Sequence, residues 1–298
     1  MTWFTWLVLI AVALAMAAAG LTAFGSRRWA AAMQRLTAKL EAGRVAPSVA
    51  LAASATSAAT PARYDPSELA GLPAPVQRYF RAALTPGQAI VSAATIQMSG
   101  TFNMSPTGEQ WKPFTSRQRV TTRRAGFLWD ARIMMMPGVV VRVVDSYIAG
   151  NGLLKASLQG WLTMADMQGG GDIARGEFMR YFAEAAWYPT ALLPSQGVRW
   201  EAVDDRSANA TLADGPLTLS LLFRFDDAGL IESFRAEARG GMVGKIMVQA
   251  PWEGRFSNYQ ARDGMSVPLA GEVAWMRPEG RKVYFKGTVT QVHYEFAA

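Results

Sequence analysis

Three hydrophobic patterns succeed one another along the chain. From Met1 to Gly25 apolar residues run on without a charged side chain. From Ala46 to Ala62 (APSVALAASATSAATPA) Ala, Ser, Thr, Pro and Val make up almost the whole stretch, with no steady period and no aromatic. From about residue 89 onward apolar and polar positions alternate. About 20 apolar residues cross a bilayer core as a helix, so the first pattern predicts a membrane anchor at 1–25. Trp3, Phe4 and Trp6 stand at one of its ends and Arg27, Arg28 and Trp29 at the other, as interfacial residues do. A cleaved signal peptide is the alternative, with small residues around Ala15 to Gly20, but the segment offers no Lys or Arg for a positive leader. Residues 26–44 read as an Ala-rich helix continuing from the anchor. The second pattern buries too little to order itself and predicts a tether at 45–63, with a mean reach of about 20–25 Å and a domain free to tilt.

The β-rich globular domain is expected over 64–298, with the alternating pattern filling it from about residue 89. Phe127, Trp129, Ala131, Ile133 and Met135 share one face, with Asp130 and Arg132 on the other; Leu217, Leu219, Leu221, Phe223 and Phe225 repeat the arrangement. Strands are expected near 89–103, 110–123, 126–135, 139–149, 153–161, 198–204, 207–213, 217–226 and 230–239, with two or three more to Phe296. Asn151-Gly152 is the strongest hairpin signal, joined by Asp214-Gly215, Asp227-Ala228-Gly229, Asp263-Gly264 and Glu279-Gly280. Connections this short imply antiparallel pairing. One helix precedes the strands, with Val76, Tyr79, Phe80, Ala83 and Leu84 at helical spacing. A second interrupts them from Ile173 to Trp187, capped by Asp172 and striped by Phe178, Phe182 and Ala185. The expected fold is mainly β: a large curved antiparallel sheet, an open or half barrel of about 10–12 strands, with an N-terminal helix and one inserted covering helix. Two stacked sheets would fit the same pattern.

Composition narrows the chemistry. The chain has 298 residues, no Cys and one His, His293. Thiolate nucleophiles, Cys-based metal sites and multi-His centres are therefore excluded, and the expected cofactor and metal complement is none. His293 reads as a structural residue of the last strand. The net charge of +7 is concentrated next to the anchor. Residues 26–63 hold Arg27, Arg28, Arg35, Lys39, Arg44 and Arg63 against Glu41, which leaves the rest at only +2. Arg27, Arg28, Arg35, Lys39 and Arg44 are thus candidate membrane-surface residues, with the lipid bilayer as partner. A nucleic-acid groove would need that excess on the domain itself, so nucleic acid is not an expected partner. The same charges place the domain on the cytoplasmic side of the inner membrane by the positive-inside rule, a periplasmic domain being the alternative.

Catalytic motifs are missing. There is no G-x-S-x-G elbow, and Gly240 to Ile246 lacks the spacing and the Ser or Thr of a phosphate loop. Glu177, Arg180 and Glu184 have ion-pair spacing and read as a solvated helix face. What stands out is soft apolar material. Trp129, Met134, Met136, Trp161, Met164, Phe178, Tyr181, Phe182, Trp187 and Tyr188 are candidate ligand-binding residues, because flexible thioethers and aromatic rings adapt to acyl-like molecules. A Met-rich filled core is the plain alternative.

Several blocks carry a resemblance: Leu72-Pro73-Ala74-Pro75-Val76-Gln77-Arg78-Tyr79, Trp187-Tyr188-Pro189-Thr190-Ala191-Leu192-Leu193-Pro194-Ser195 and Pro251-Trp252-Glu253-Gly254. They resemble the recurrent blocks of an uncharacterised bacterial domain family, which implies a fold unit over Tyr64 to Phe296 and no activity. By element order alone the chain is also similar to periplasmic lipoprotein carriers. That resemblance implies a half-barrel holding acyl chains beneath helices. Three functions follow in order: a membrane-tethered binding module for a lipid or other hydrophobic molecule, without catalysis; a structural or interaction protein of a membrane complex, its protein partner unknown; and, last, a carboxylate-based hydrolase.

Overall fold

The structure, a computed structural model, describes residues 2–45, 62–105, 108–243 and 246–297. The linker read at 45–63 therefore lies almost wholly outside the described residues. Helix α1 (Trp3–Val45) is continuous, and α2 (Ala74–Ala83) precedes the sheet. Six strands follow: β1 (Val91–Asn103), β2 (Trp111–Thr121), β3 (Gly126–Met136), β4 (Val139–Ile148), β5 (Asn151–Leu158) and β6 (Leu162–Gly169). Then come α3 (Gly171–Ala183) and three short 3-10 turns at Glu184–Trp187, Pro189–Leu192 and Pro194–Gln196. Strands β7 (Arg199–Asp204), β8 (Ser207–Asp214), β9 (Leu217–Phe225), β10 (Ile231–Val243), β11 (Ile246–Arg262), β12 (Met265–Arg277) and β13 (Gly280–Phe296) close the chain.

All 13 strands form one antiparallel sheet in the order β6-β5-β4-β3-β2-β1-β13-β12-β11-β10-β9-β8-β7. The sheet is open: β6 and β7 are its edges, and the chain passes from one to the other through α3 and the 3-10 turns. Each half is a local meander, and in the ladder the halves join at β1 and β13, where Ile96 faces Val292 and Phe102 faces Phe285. Register shifts in β1/β13, β10/β11 and β12/β13 mark bulges, which bend long strands and give the sheet a concave face. Alternation decides which residues line that face. Phe127, Trp129, Ala131 and Ile133 of β3 are buried there, as are Leu219, Leu221, Phe223 and Phe225 of β9. Helix α2 closes one end of the core, burying Val76, Tyr79 and Phe80, with the Tyr79 ring 5.6 Å from that of Phe225.

Helix α1 has two environments. Residues 3–24 stand clear of the sheet, whereas the stretch from Gly25 to Arg44 lies across its convex face. Trp29 and Leu40 pack there with Leu128, Val144 and Ile148. The Trp29 indole N–H donates to Asp130 Oδ1 at 2.9 Å. Arg44 pairs with Glu295 of β13 at 2.7 Å, and Arg119 of β2 reaches Glu41 and Glu295 at 2.7 Å each. The Arg119 hydrogen bond, with help from Arg44, holds the Glu295 carboxyl at about 2. At Gly25 the backbones touch: a Cβ there would stand 2.2 Å from the Gln159 carbonyl oxygen. The freely tilting domain expected from the tether is therefore not what the fold provides. The apolar stripe Trp29, Met33, Leu36 and Leu40 needs cover, and the sheet supplies it.

Other differences have local causes. Strand β6 was not expected, because Leu162, Thr163 and Met164 are all exposed beside a bulge and two of the three are apolar, which spoils the alternation. The hairpin signal at Asn151-Gly152 is displaced by two residues. The turn is made by Ala149 (φ 54°) and Gly150 (φ 80°), and Asn151 already faces Ile148 in the ladder. Gly152 serves instead as the seat of α3: a Cβ there would lie 2.6 Å from the Ile173 carbonyl. Helix α3 starts at Gly171 without a side-chain cap, so Asp172 sits in the first turn rather than capping it. His293 is exposed on the convex side of β13, opposite Thr95.

Candidate functional site

The concave face divides into a covered end and an uncovered end. Helix α3 and the 3-10 turns cover the first with rings. Phe178 stacks on Tyr147 of β4 at 5.0 Å and on Tyr181 at 6.2 Å, and Phe182 meets Phe223 edge-on at 6.0 Å. The Tyr188 hydroxyl donates to the Tyr181 carbonyl at 2.5 Å, and Tyr294 donates to the Trp187 carbonyl at 2.7 Å. These two buried hydroxyls are thereby satisfied, and burial raises the pKa of Tyr181, Tyr188 and Tyr294.

Beneath α3 lies a buried charge cluster that the sequence reading placed in solvent. Arg180 donates to Asp145 Oδ2 at 2.6 Å and to Glu184 Oε1 at 2.8 Å. Gln118 of β2 donates to Glu184 Oε2 at 2.7 Å, so both oxygens of Glu184 are engaged. The Arg180 guanidinium stands 4.6 Å over the Trp129 ring. Arg239 of β10 lies 4.1 Å over Trp252 and 3.9 Å from Glu177 Oε1. The correction has a simple cause: α3 crosses the hollow of the sheet, so its charged stripe faces Asp145 rather than water. Burial, reinforced by the Asp145 charge, pushes Glu177 up to about 8, so it holds a proton at neutral pH. Burial likewise raises Asp145, against the pull of Arg180 and Arg239. For Arg180 burial opposes the charge, but Glu184, Asp145 and Glu177 outweigh it and raise its pKa. Several buried polar atoms lack a protein partner: Glu177 Oε2, Asp145 Oδ1, Ser116 Oγ and the indole nitrogens of Trp129 and Trp187. Among the described residues no group of three or more His, Cys, Asp or Glu could hold a metal ion.

The uncovered end is different. Past the reach of α3, the strands continue to the β1–β2, β3–β4, β5–β6, β10–β11 and β12–β13 hairpins, all at one end of the sheet. Phe102, Met135, Val143, Leu158, Val273, Trp275 and Tyr284 are packed against the core there yet only half-buried. Tyr284 accepts a 3.0 Å hydrogen bond from the Trp252 indole and lies beside Trp275, with ring centroids 6.2 Å apart.

The structure brings together six of the residues singled out in the sequence, Trp129, Phe178, Tyr181, Phe182, Trp187 and Tyr188, all buried at the covered end. It does not bring the rest to them. Met134, Met136 and Met164 are exposed on the outer side of the hairpin end, because their parity is opposite to that of Ile133 and Met135 or, for Met164, to that of Ala165. Trp161 lies half-buried at the β5–β6 hairpin beside Gly25. Of the basic residues, Arg27, Arg28, Arg35 and Lys39 are exposed, while Arg44 is held by Glu295. The cluster of Asp145, Glu177, Arg180, Glu184, Arg239 and Gln118 escaped the sequence reading as a unit. One signal was available: Asp145 shares the inward parity of Tyr147 and Val143.

Two cavities lie on the outer face. One of about 420 Å³ is lined by Glu201, Val203, Thr211, Leu222 and Arg235, and one of about 280 Å³ lies between Leu36 of α1 and Leu153.

Residues 70–294 match the model of a family of unknown function, DUF6920, the kind of uncharacterised family that the sequence blocks implied. No curated protein matches the chain. Among solved structures it is similar to a LolA superfamily protein from Nitrosomonas europaea, at 9% identity and a TM-score of 0.37, over 70% of this chain and 88% of that one. It is similar to a putative outer membrane lipoprotein-sorting protein domain from Vibrio parahaemolyticus, at 9% identity and 0.38, over 68% and 86%. A beta-barrel-like protein of a domain of unknown function, DUF1849, from Brucella abortus aligns at 10% identity and 0.23, over 69% and 99%.

Proposed function

The chain belongs to this family of unknown function, so its activity has to be read from geometry, and we propose that it is a membrane-tethered binding module for a lipid or similar hydrophobic molecule. Residues 1–25 serve as an uncleaved anchor and 64–298 as the binding domain. The observation that carries the reading is the half-buried apolar strip at the hairpin end of the concave face. Phe102, Met135, Leu158, Val273, Trp275 and Tyr284 form a continuation of the core that no helix among the described residues covers. A soluble domain gains by covering such a surface, at about 25 cal/mol per Å² removed from water. An acyl chain laid along the strip would do so.

The covered end argues for where the ligand stops. Its rings and the Arg180 cluster fill the hollow, so the ligand occupies the strip and abuts the cluster without entering beneath Phe178. The unpartnered Trp129 indole N–H and the protonated Glu177 offer hydrogen bonds at that boundary. The positive flank at 26–44 favours a cytoplasmic domain in this reading.

Native mass spectrometry of the full chain, released from lipid nanodiscs, tests the proposal. A retained lipid-sized adduct in the wild type, lost in Leu158→Trp and Val273→Trp variants that fill the strip, is the expected outcome. A wild type that carries no adduct overturns it.

A further inference from the structure

Outside α1, seven large apolar residues are exposed among the described residues, and six of them sit at one end of the sheet. Met134 and Met136 belong to the β3–β4 hairpin, Leu162 and Met164 to β5–β6, and Ile246 and Val248 to β10–β11. Only Val203 lies elsewhere, at the opposite end beside the β7–β8 turn. Chance scatter does not gather exposed apolar side chains onto alternate hairpins that the ladder holds at one level.

Helix α1 leaves the sheet at this same end. Arg44 lies by Ser92 and Glu295, Trp29 by the middle of β3, and Gly25 by the β5–β6 hairpin. Gly25 and Gly160 face each other so closely that a Cβ on Gly160 would stand 2.7 Å from the Gly25 carbonyl oxygen. The apolar helix from Trp3 to Phe24 therefore continues outward from the hairpin tips, over about 33 Å at 1.5 Å per residue. Its apolar stretch ends level with Leu162 and Trp161. Exposed Arg27 and Arg28 follow within one turn.

We infer that the hairpin end of the sheet is a bilayer-docking rim: Met136, Leu162, Met164 and Ile246 enter the interfacial zone of the same membrane that α1 crosses. The rim faces the membrane because the docked half of α1 sets the direction of the crossing half. Arg27 and Arg28 lie at headgroup level, and apolar tips and basic flank together contact both layers of the interface. The inference rests on the reading of residues 3–24 as an anchor but not on any ligand in the strip. It adds one consequence to that reading: the uncovered strip opens toward lipid, not toward bulk water.

The absence of cysteine makes the test direct, since each introduced thiol is unique. Full-length Met136→Cys, Leu162→Cys, Ile246→Cys, Val203→Cys and Leu14→Cys proteins are labelled with a nitroxide in phosphatidylcholine vesicles. Accessibility to oxygen, which concentrates in lipid, is compared with accessibility to a water-soluble nickel chelate. The expected result is an oxygen-to-nickel ratio at positions 136, 162 and 246 several-fold above that at 203 and approaching that at 14. If position 14 reads as lipid while the three tips match 203, docking is overturned and the anchor stands. If position 14 reads as water, the anchor reading falls and the rim with it. Tips shielded from both reagents would mean that protein covers them, which also overturns the proposal.

Discussion

The two ends of one concave face are built from the same strands and differ in what lies over them. Under α3, Phe178, Tyr181, Phe182 and Tyr188 fill the hollow and bury a cluster of three acids and two arginines. At the hairpins, Trp275, Tyr284, Phe102 and Met135 keep the apolar character of the core without a cover. A sheet of this length cannot be closed by one 13-residue helix and three short turns. On the proposed reading the covered end is the rigid one, and the other offers its surface to a ligand. Variants aimed at each end should separate these roles.

The largest effect is expected at Arg180. Arg180→Met leaves Asp145 and Glu184 buried without their cation, and stability should fall by about 3–5 kcal/mol in chemical denaturation. An unchanged midpoint would mean that the covered end is not the rigid one. Next comes the seat of α3. Gly152→Val pushes side-chain atoms against the Ile173 carbonyl and should cost about 1–3 kcal/mol, with loosened α3 seen as faster amide exchange over residues 173–187. A similar cost, about 1–3 kcal/mol, is expected for Trp29→Phe, which strips Asp130 of its indole donor beneath α1. Exchange should then speed up in α1 rather than in α3.

A pH series sharpens the contrast further. Glu177 binds its proton in the folded protein up to about 8, whereas the unfolded chain releases it near the ordinary value of 4.5. Between those values the folded state holds the extra proton, so stability should decline as pH rises from about 5 to 8. In Glu177→Gln that decline should flatten; an equally steep decline would assign it to other groups. The smallest effect belongs to the rim. Met164→Ser, at an exposed site, should move stability by less than about 0.5 kcal/mol in detergent, since no core contact is lost.

The fold was legible where parity and punctuation agree. The alternation in β3 and β9, the Asp263-Gly264 turn (φ 47° and 82°) and the helix inserted after residue 170 all stand as the pattern implies. Edge strand β6 escaped because exposed Leu162 and Met164 stand beside a bulge that breaks the alternation, and the docking of α1 escaped because its stripe of Trp29, Met33, Leu36 and Leu40 is spaced among alanines. The site was legible only in part. Aromatic residues of α3 announce their burial by spacing, but Glu177, Arg180 and Glu184 look like any solvated helix face. Only the crossing of α3 over the hollow, a long-range fact of topology, turns them inward. The methionines misled for the converse reason: richness in a residue type says nothing about which side of a strand it occupies.

The ion pair between Arg44 and Glu295 joins groups 251 positions apart, one near the start of the chain and one in its last strand. A ribosome adding about 5–20 residues per second needs on the order of tens of seconds to travel between them. For that interval the basic segment has no carboxylate from β13 to receive it, and Arg119 and Arg44 wait together. The final strand thus acts as a latch, and the helix becomes fully locked to the sheet only after translation of residue 295.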